Sequence, residues 1–279
     1  MLRYLLHGCF LFSLLNTCLA QAQMAHEHLV WSDEFNSTRP AAPSATSWSL
    51  ETGANKWGNH ELETYCAYGS SKPPCDPSLP NAFVGNGYLH IVARSHGQGQ
   101  YTSARLKSQG LQSFRYGRIE ARIRIPKGQG MWPAFWMLGD NIKDVDWPAC
   151  GELDIMENIG KEPGTIHGSV HGTGFTGTLI GLPYTLPYNQ TFGDGFHTFG
   201  LIWSPKKIAY YVDSPANVYA TFTPASLPAG AVWPFDNGKF FFLLNLAVGG
   251  DWPGSPNAST HFPSEMLVDY VRVYALDKQ

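Results

Sequence analysis

Between residues 118 and 125 the chain alternates strictly. Ile119, Ala121, Ile123 and Ile125 face one way, and Arg118, Glu120, Arg122 and Arg124 face the other. A period of two marks a half-buried β-strand. Alternation, or short runs rich in β-branched and aromatic residues, predicts further strands over 88–93, 152–157, 165–171, 196–203, 208–212, 240–248 and 267–274. Turn signals such as Gly85-Asn86-Gly87, Pro126-Lys127-Gly128 and Asp236-Asn237-Gly238 separate them. No window of ten or more residues carries a convincing helical period. The expected fold is therefore all-β, a jelly-roll sandwich of two packed antiparallel sheets.

Composition adds two things to this pattern. The 279 residues hold 29 glycines, 20 prolines and 14% aromatics, which suits a turn-rich strand protein with flat apolar faces to offer a ligand. A net charge of −3 carries no basic footprint, so nucleic acid is not an expected partner. The first residues read as an export signal: Arg3, an apolar stretch over 4–15 and the small-residue site Ala20-Gln21-Ala22. Residues 1–22 are set aside as a signal peptide, and 23–279 are read as one catalytic domain of a secreted protein, extracellular or periplasmic, with no membrane contact after cleavage. Of the remaining cysteines, Cys66 and Cys75 bracket a Pro-, Gly- and Ser-rich loop. Export permits a local disulfide there, while two free thiols remain the alternative. Cys150 reads as a small buried hydrophobe.

The densest chemistry is Gly151-Glu152-Leu153-Asp154-Ile155-Met156-Glu157-Asn158. On a helix Glu152 and Glu157 lie on different faces. On a regular strand Glu152 and Asp154 share a face and Glu157 takes the other. A β-bulge at Ile155-Met156 returns Glu157 to the face of the other two, and bulges are frequent beside active sites. Two glutamates leaning together on one sheet face suit glycoside hydrolysis with retention, which needs carboxyls about 5–5.5 Å apart. Asp154 between them can hydrogen-bond a neighbour and raise its proton affinity, separating acid from nucleophile. A solvated acidic face and a three-carboxylate metal site are the competing readings. The apolar alternation of Leu153 and Ile155 favours a strand over the loops that usually hold hard cations.

With these residues in view, the chain resembles glycoside hydrolase family sixteen. The E-x-D-x-x-E signature of its laminarinase-like members stands as Glu152 to Glu157, and the inserted Met156 favours the endo-β-1,3-glucanase branch. Further blocks keep the family order: Trp31-Ser32-Asp33-Glu34-Phe35, Trp57-Gly58-Asn59-His60-Glu61, Tyr116-Gly117-Arg118-Ile119-Glu120-Ala121-Arg122, Gly130-Met131-Trp132-Pro133-Ala134-Phe135-Trp136 and Gly249-Gly250-Asp251-Trp252-Pro253. The resemblance implies an open substrate cleft across a concave sheet. It implies Glu152 as nucleophile, Asp154 as its electrostatic helper and Glu157 as general acid/base. It places Asn59, Arg105, Trp132, Trp136, His171 and Trp252 along the cleft. Indole faces stack on sugar rings, while Asn, Arg and His hydrogen-bond hydroxyls. Asp251 departs from the family's usual Asn. The segment 183–189 reads as a surface loop near the cleft rim.

The resemblance implies no cofactor for catalysis. It does imply a structural calcium, with Asp269 as side-chain ligand and main-chain oxygens from Glu34 and Gly87. The implied substrate is a β-1,3-glucan of the laminarin type, with mixed-linkage β-1,3-1,4-glucan second, cut internally through a covalent glycosyl-enzyme intermediate. A non-catalytic glucan-recognition protein of this fold would be expected to have lost the acids, and all three are present. Transglycosylation uses the same intermediate and stays open. A monomer is expected.

Overall fold

The computed structural model describes residues 27–276, and the signal segment 1–22 lies outside them. In chain order the strands are β1 (Glu27–Asp33), β2 (Ser49–Glu51), β3 (Glu63–Tyr65), β4 (Ala82–Gly85), β5 (Tyr88–Ser95), β6 (Tyr101–Ser103), β7 (Arg105–Lys107), β8 (Gly117–Arg124) and β9 (Met131–Gly139). They continue as β10 (Glu152–Glu157), β11 (Thr165–His171), β12 (Gly181–Thr185), β13 (His197–Ser204), β14 (Lys207–Val212), β15 (Val218–Phe222), β16 (Phe240–Val248) and β17 (Ser264–Leu276). One short helix, α1 (Ile142–Val145), interrupts the β9–β10 connection.

The strands form two sheets. A seven-stranded sheet runs β12-β11-β10-β9-β16-β7-β2, and a ten-stranded sheet is built around β15-β14-β13-β8-β17-β5-β6-β3. Pairing is antiparallel apart from β3 with β6. This is the expected sandwich, and the alternation read in 118–125 is its reason. Ile119, Ala121 and Ile123 are fully buried between the sheets, and their arginine neighbours turn to the outer face. From the other sheet, Phe135, Met137, Leu153, Ile166, Val170, Phe242, Leu244 and Leu246 fill the same core.

Several recognised blocks are structural. Trp31 stacks on Phe242 with ring centroids 5.7 Å apart. Asp33 accepts from the indole of Trp48 at 2.8 Å. Gly117 has a φ of +116°, and a Cβ there would stand 2.4 Å from the Tyr274 carbonyl, so only glycine lets β8 pass β17. Cys66 and Cys75 form a disulfide, which closes the alternative left open by sequence, and Cys150 is a buried free thiol. One expectation is corrected. The segment 183–189 is not wholly a loop, because Pro183, Tyr184 and Thr185 belong to β12, paired with β11 at the edge of the seven-stranded sheet.

Candidate active site

The register around β10 shows the expected bulge. Asp154 pairs with Trp136 of β9, but Met156 pairs with Phe135, so one residue is inserted between them. The same slip appears against β11, where Asp154 faces Ser169 and Glu157 faces His167. Ile155 and Met156 both turn into the core, at 1% and 0% exposure. Glu152, Asp154 and Glu157 consequently share the outer face of the seven-stranded sheet, where they line a cleft of about 590 Å³.

All six residues expected along the cleft line it. Trp132, Trp136, Trp252, Asn59, Arg105 and His171 stand around the acids. The Trp132 indole donates to Glu157 Oε1 at 3.0 Å, and the Trp136 indole donates to Asn245 Oδ1 at 2.7 Å. Arg105 lies over Trp136 and Trp57, 4.8 and 5.0 Å from their ring centroids, and its Nε is 2.6 Å from Glu51. It is thus both an ion-pair partner and part of the cleft. Asn59 donates to Glu61 at 3.2 Å. His171 Nε2 lies 2.9 Å from Asp154 Oδ2, an ion-pair contact whose angle leaves that oxygen without a hydrogen-bond partner.

Asp251 does not line the cleft. It pairs with His60 at 2.8 Å, and its backbone N–H donates to the Asn59 carbonyl at 2.9 Å. The β2–β3 and β16–β17 connections are tied together there. Gly250 permits the approach, since a Cβ at its φ of +116° would come within 2.9 Å of the Asn59 carbonyl.

Sequence reasoning did not single out several cleft residues. Trp147, just before β10, donates its indole N–H to Glu152 Oε2 at 2.7 Å. Glu61, Trp57, His167, Ser169 and Asn245 also line the cleft. Trp57 and Glu61 stood inside a quoted block and carried a signal; His167 and Asn245 reach the site only through strand register.

Burial dominates the electrostatics. It raises Glu152 to about 8, with the Asp154 charge adding to the effect. It raises Glu157 to about 7, with Glu152 adding to it. Asp154 is pushed well above the usual carboxylate range by burial and by Glu157. Glu152 and Asp154 bring carboxylate oxygens within 4.8 Å of each other, so ionising both at once is disfavoured. The cluster therefore keeps protons in the neutral range, the condition for a carboxyl to act as an acid there.

Glu152, Asp154 and His171 place donor atoms within 4.8 Å of one another, the one such set among the described residues. Two of those donors already face each other at 2.9 Å. The calcium set lies elsewhere, and its one side-chain ligand is already paired: Asp269 Oδ2 accepts from Arg122 at 2.6 Å. Glu34 was expected to offer only its main-chain oxygen; its carboxylate accepts from Arg272, at 2.9 and 2.8 Å. A calcium ion there would have to share the Asp269 carboxylate with the Arg122 cation. As it stands the set does not fit the ion, and no step is derived through one.

Residues 80–272 match the family model of glycosyl hydrolases family 16. The chain belongs to this family. Its expectation of a glycoside hydrolase on an all-β sandwich stands. The chain is 44% identical to the endo-β-1,3-glucanase of Pyrococcus furiosus, whose structure superposes with a TM-score of 0.79 over 91% of this chain and 96% of that one. The laminarinase catalytic domain of Thermotoga petrophila RKU-1 is 40% identical at a TM-score of 0.79, covering 90% of this chain and 99% of that one. A β-glucanase of Rhodothermus marinus is 38% identical over 261 residues, which is 89% of this chain and 85% of that protein.

Proposed function

We propose that the protein is an endo-acting β-1,3-glucanase that hydrolyses laminarin-type glucan with retention, with mixed-linkage β-1,3-1,4-glucan as a secondary substrate. The observation that carries this reading is the bulge in β10, which sets Glu152, Asp154 and Glu157 on one face of an indole-lined cleft. The likeness to glucanases supports the linkage.

Glu152 attacks the anomeric carbon and must be ionised. Glu157 protonates the departing oxygen, then removes a proton from the water that hydrolyses the intermediate. In the free protein the order of proton affinities leaves a proton on Glu152, about 8, longer than on Glu157, about 7. The proposed roles therefore need that proton to pass to Asp154, the neighbouring carboxyl whose own affinity is raised well above the ordinary range. Trp147 then holds the ionised Glu152 oxygen with its indole N–H. A sugar that covers Glu157 removes water from it and favours its protonated form.

The charge of the cleft fits a neutral polymer. Glu61, Glu152, Asp154 and Glu157 line it, and its one arginine, Arg105, is already paired with Glu51. A sulfated or uronate chain would meet carboxyls without a free cation to offset them. Export is part of the proposal, on the sequence of the leader and on the Cys66–Cys75 disulfide, which suits an oxidising compartment.

The test is a panel of laminarin, mixed-linkage glucan and agarose, with proton NMR of the first-formed reducing end. We expect laminarin to be cut fastest and to release the β-anomer. Shortening of agarose with laminarin left intact would overturn the linkage, and a first-formed α-anomer would overturn retention.

A further inference from the structure

A chain of hydrogen bonds runs beneath the cleft and ends on a carboxylate. It starts at Trp136 of β9, whose indole N–H donates to Asn245 Oδ1 at 2.7 Å. Asn245 lies on β16, the neighbouring strand, and its Nδ2 donates to the Tyr65 hydroxyl at 3.3 Å. Tyr65 is the last residue of β3 and donates to Glu61 Oε2 at 3.2 Å. The other oxygen of Glu61, Oε1, accepts from Asn59 Nδ2 at 3.2 Å. Asn245, Tyr65 and Glu61 are buried. Trp136 and Asn59, the two ends, are more exposed and line the cleft.

Each link has one possible direction. An indole N–H can only donate, so Asn245 must turn its oxygen to Trp136. That leaves the amide nitrogen of Asn245 for Tyr65, whose oxygen accepts and whose single proton goes on to Glu61. The direction holds only while Glu61 accepts on both oxygens, which an ionised carboxylate does and an amide cannot. Burial raises the proton affinity of Glu61, and the Asn59 and Tyr65 donors and the Arg105 charge pull it back. Arg105 also lies over the Trp136 ring, 4.8 Å from its centroid. A buried polar network in which every link is satisfied holds its members in one arrangement. Both Glu61 oxygens already face protein donors, so its part is to hold other side chains.

We infer that Glu61 is a positioning residue: as the acceptor at the end of both branches, it sets the orientation of the Trp136 indole and of the Asn59 amide that the substrate meets. This rests on the proposed reading of the cleft as a glucan site. Glu61→Gln keeps the shape but offers one acceptor to two donors. Either Asn59 turns its amide round, or Tyr65 and Asn245 reverse and a donor faces the Trp136 N–H. Tyr65→Phe breaks only the branch to Trp136 and leaves Asn59 on Glu61.

The experiment measures kcat and KM on a β-1,3-gluco-oligosaccharide for both variants, each made in the wild-type chain, in Asn59→Ala, in Trp136→Phe and in the combination of those two. In the wild-type chain each variant should raise KM about 10-fold, the size of one buried donor left unpaired. The value of kcat should stay within about threefold, because these side chains hold the sugar alike before and during bond breaking. The Tyr65→Phe effect should shrink to within about twofold in Trp136→Phe and persist in Asn59→Ala. The Glu61→Gln effect should shrink to within about twofold where both targets are replaced.

A KM effect that persists where its targets are gone would mean a general loosening of the fold, and would overturn the inference. A fall in kcat with KM unchanged would place Glu61 in the chemistry and overturn it too. So would an unmoved KM, and these outcomes leave the proposed function standing. If Glu61→Gln does not fold, the Tyr65→Phe comparison decides alone. A wild type inactive on the oligosaccharide would overturn the proposed function, and this inference with it.

Discussion

Glu63 holds a proton at a pH where most carboxyls have lost theirs, and stability should reveal it. Its side chain is 1% exposed and sits beneath the cleft beside Glu61. Oε2 accepts from the Val248 backbone N–H at 2.7 Å, and Oε1 has no partner among the described residues. Burial, then the Glu61 charge, raises it from 4.5 to about 9. Glu61 is itself raised by burial, and it accepts from Asn59 and from Tyr65. Above pH 4.5 and below 9 the native state thus binds a proton at Glu63 that the unfolded chain has released. Stability must fall as pH rises through that window.

Glu63→Gln replaces the protonated carboxyl with an amide of the same shape and keeps an oxygen for Val248, so its stability lacks this contribution. Each pH unit is worth about 1.4 kcal/mol, so the variant should gain about 4 kcal/mol on wild type between pH 5 and pH 8. In a domain of this size that is a relative rise in Tm of about 8–16 °C. The raised groups Glu152 and Glu157 also weaken the fold as pH rises, but they act in both proteins and cancel in the difference. Parallel thermal melts of the two proteins at half-unit pH steps make the measurement. A difference that stays flat with pH would refute the reasoning, because Glu63 would then be ionised in the fold.

Azide separates the two glutamates. Glu157→Ala should still cleave an activated aryl glycoside and, with azide, yield the β-glycosyl azide, whereas Glu152→Ala can yield only the α-azide; exchanged configurations in proton NMR would reverse the roles. Trp147→Phe removes a donor that favours ionised Glu152. The acidic limb of kcat/KM should then move to higher pH by about one unit, since a hydrogen bond to a charged group is worth about 1.5–3 kcal/mol; an unmoved limb would mean the contact does not act on Glu152. Exchanging millimolar calcium for a chelator should leave Tm within about 2 °C while Arg122 holds Asp269, because only a ligand bound to the native state raises Tm. A larger shift that Asp269→Asn abolishes would show that calcium binds at Asp269 despite Arg122.

How much of this was readable from sequence follows from how the site is made. Within one strand, position dictates face, so a parity argument was sufficient. Glu152 and Asp154 share a face, Glu157 does not, and a single inserted residue restores it. The bulge stands where that argument put it, with Ile155 and Met156 both in the core. The sandwich was readable for the same reason, because Ile119, Ala121 and Ile123 could be buried only by a second sheet. What crosses between strands was not readable. His167 is ten residues from Glu157 in the chain but directly opposite it in the sheet, and only the slip at the bulge makes those two residues partners. Trp147 reaches Glu152 from a connection that no period describes. Arg122 and Arg272 sit on the outward face of their strands, where alternation marks them simply as polar, yet they are the residues that close Asp269 and Glu34. The residues proposed to carry the bond-breaking chemistry lie within one strand and could be found by counting. Those that line the rest of the cleft and tune its proton affinity come from neighbouring strands and loops, where they can change without disturbing β10.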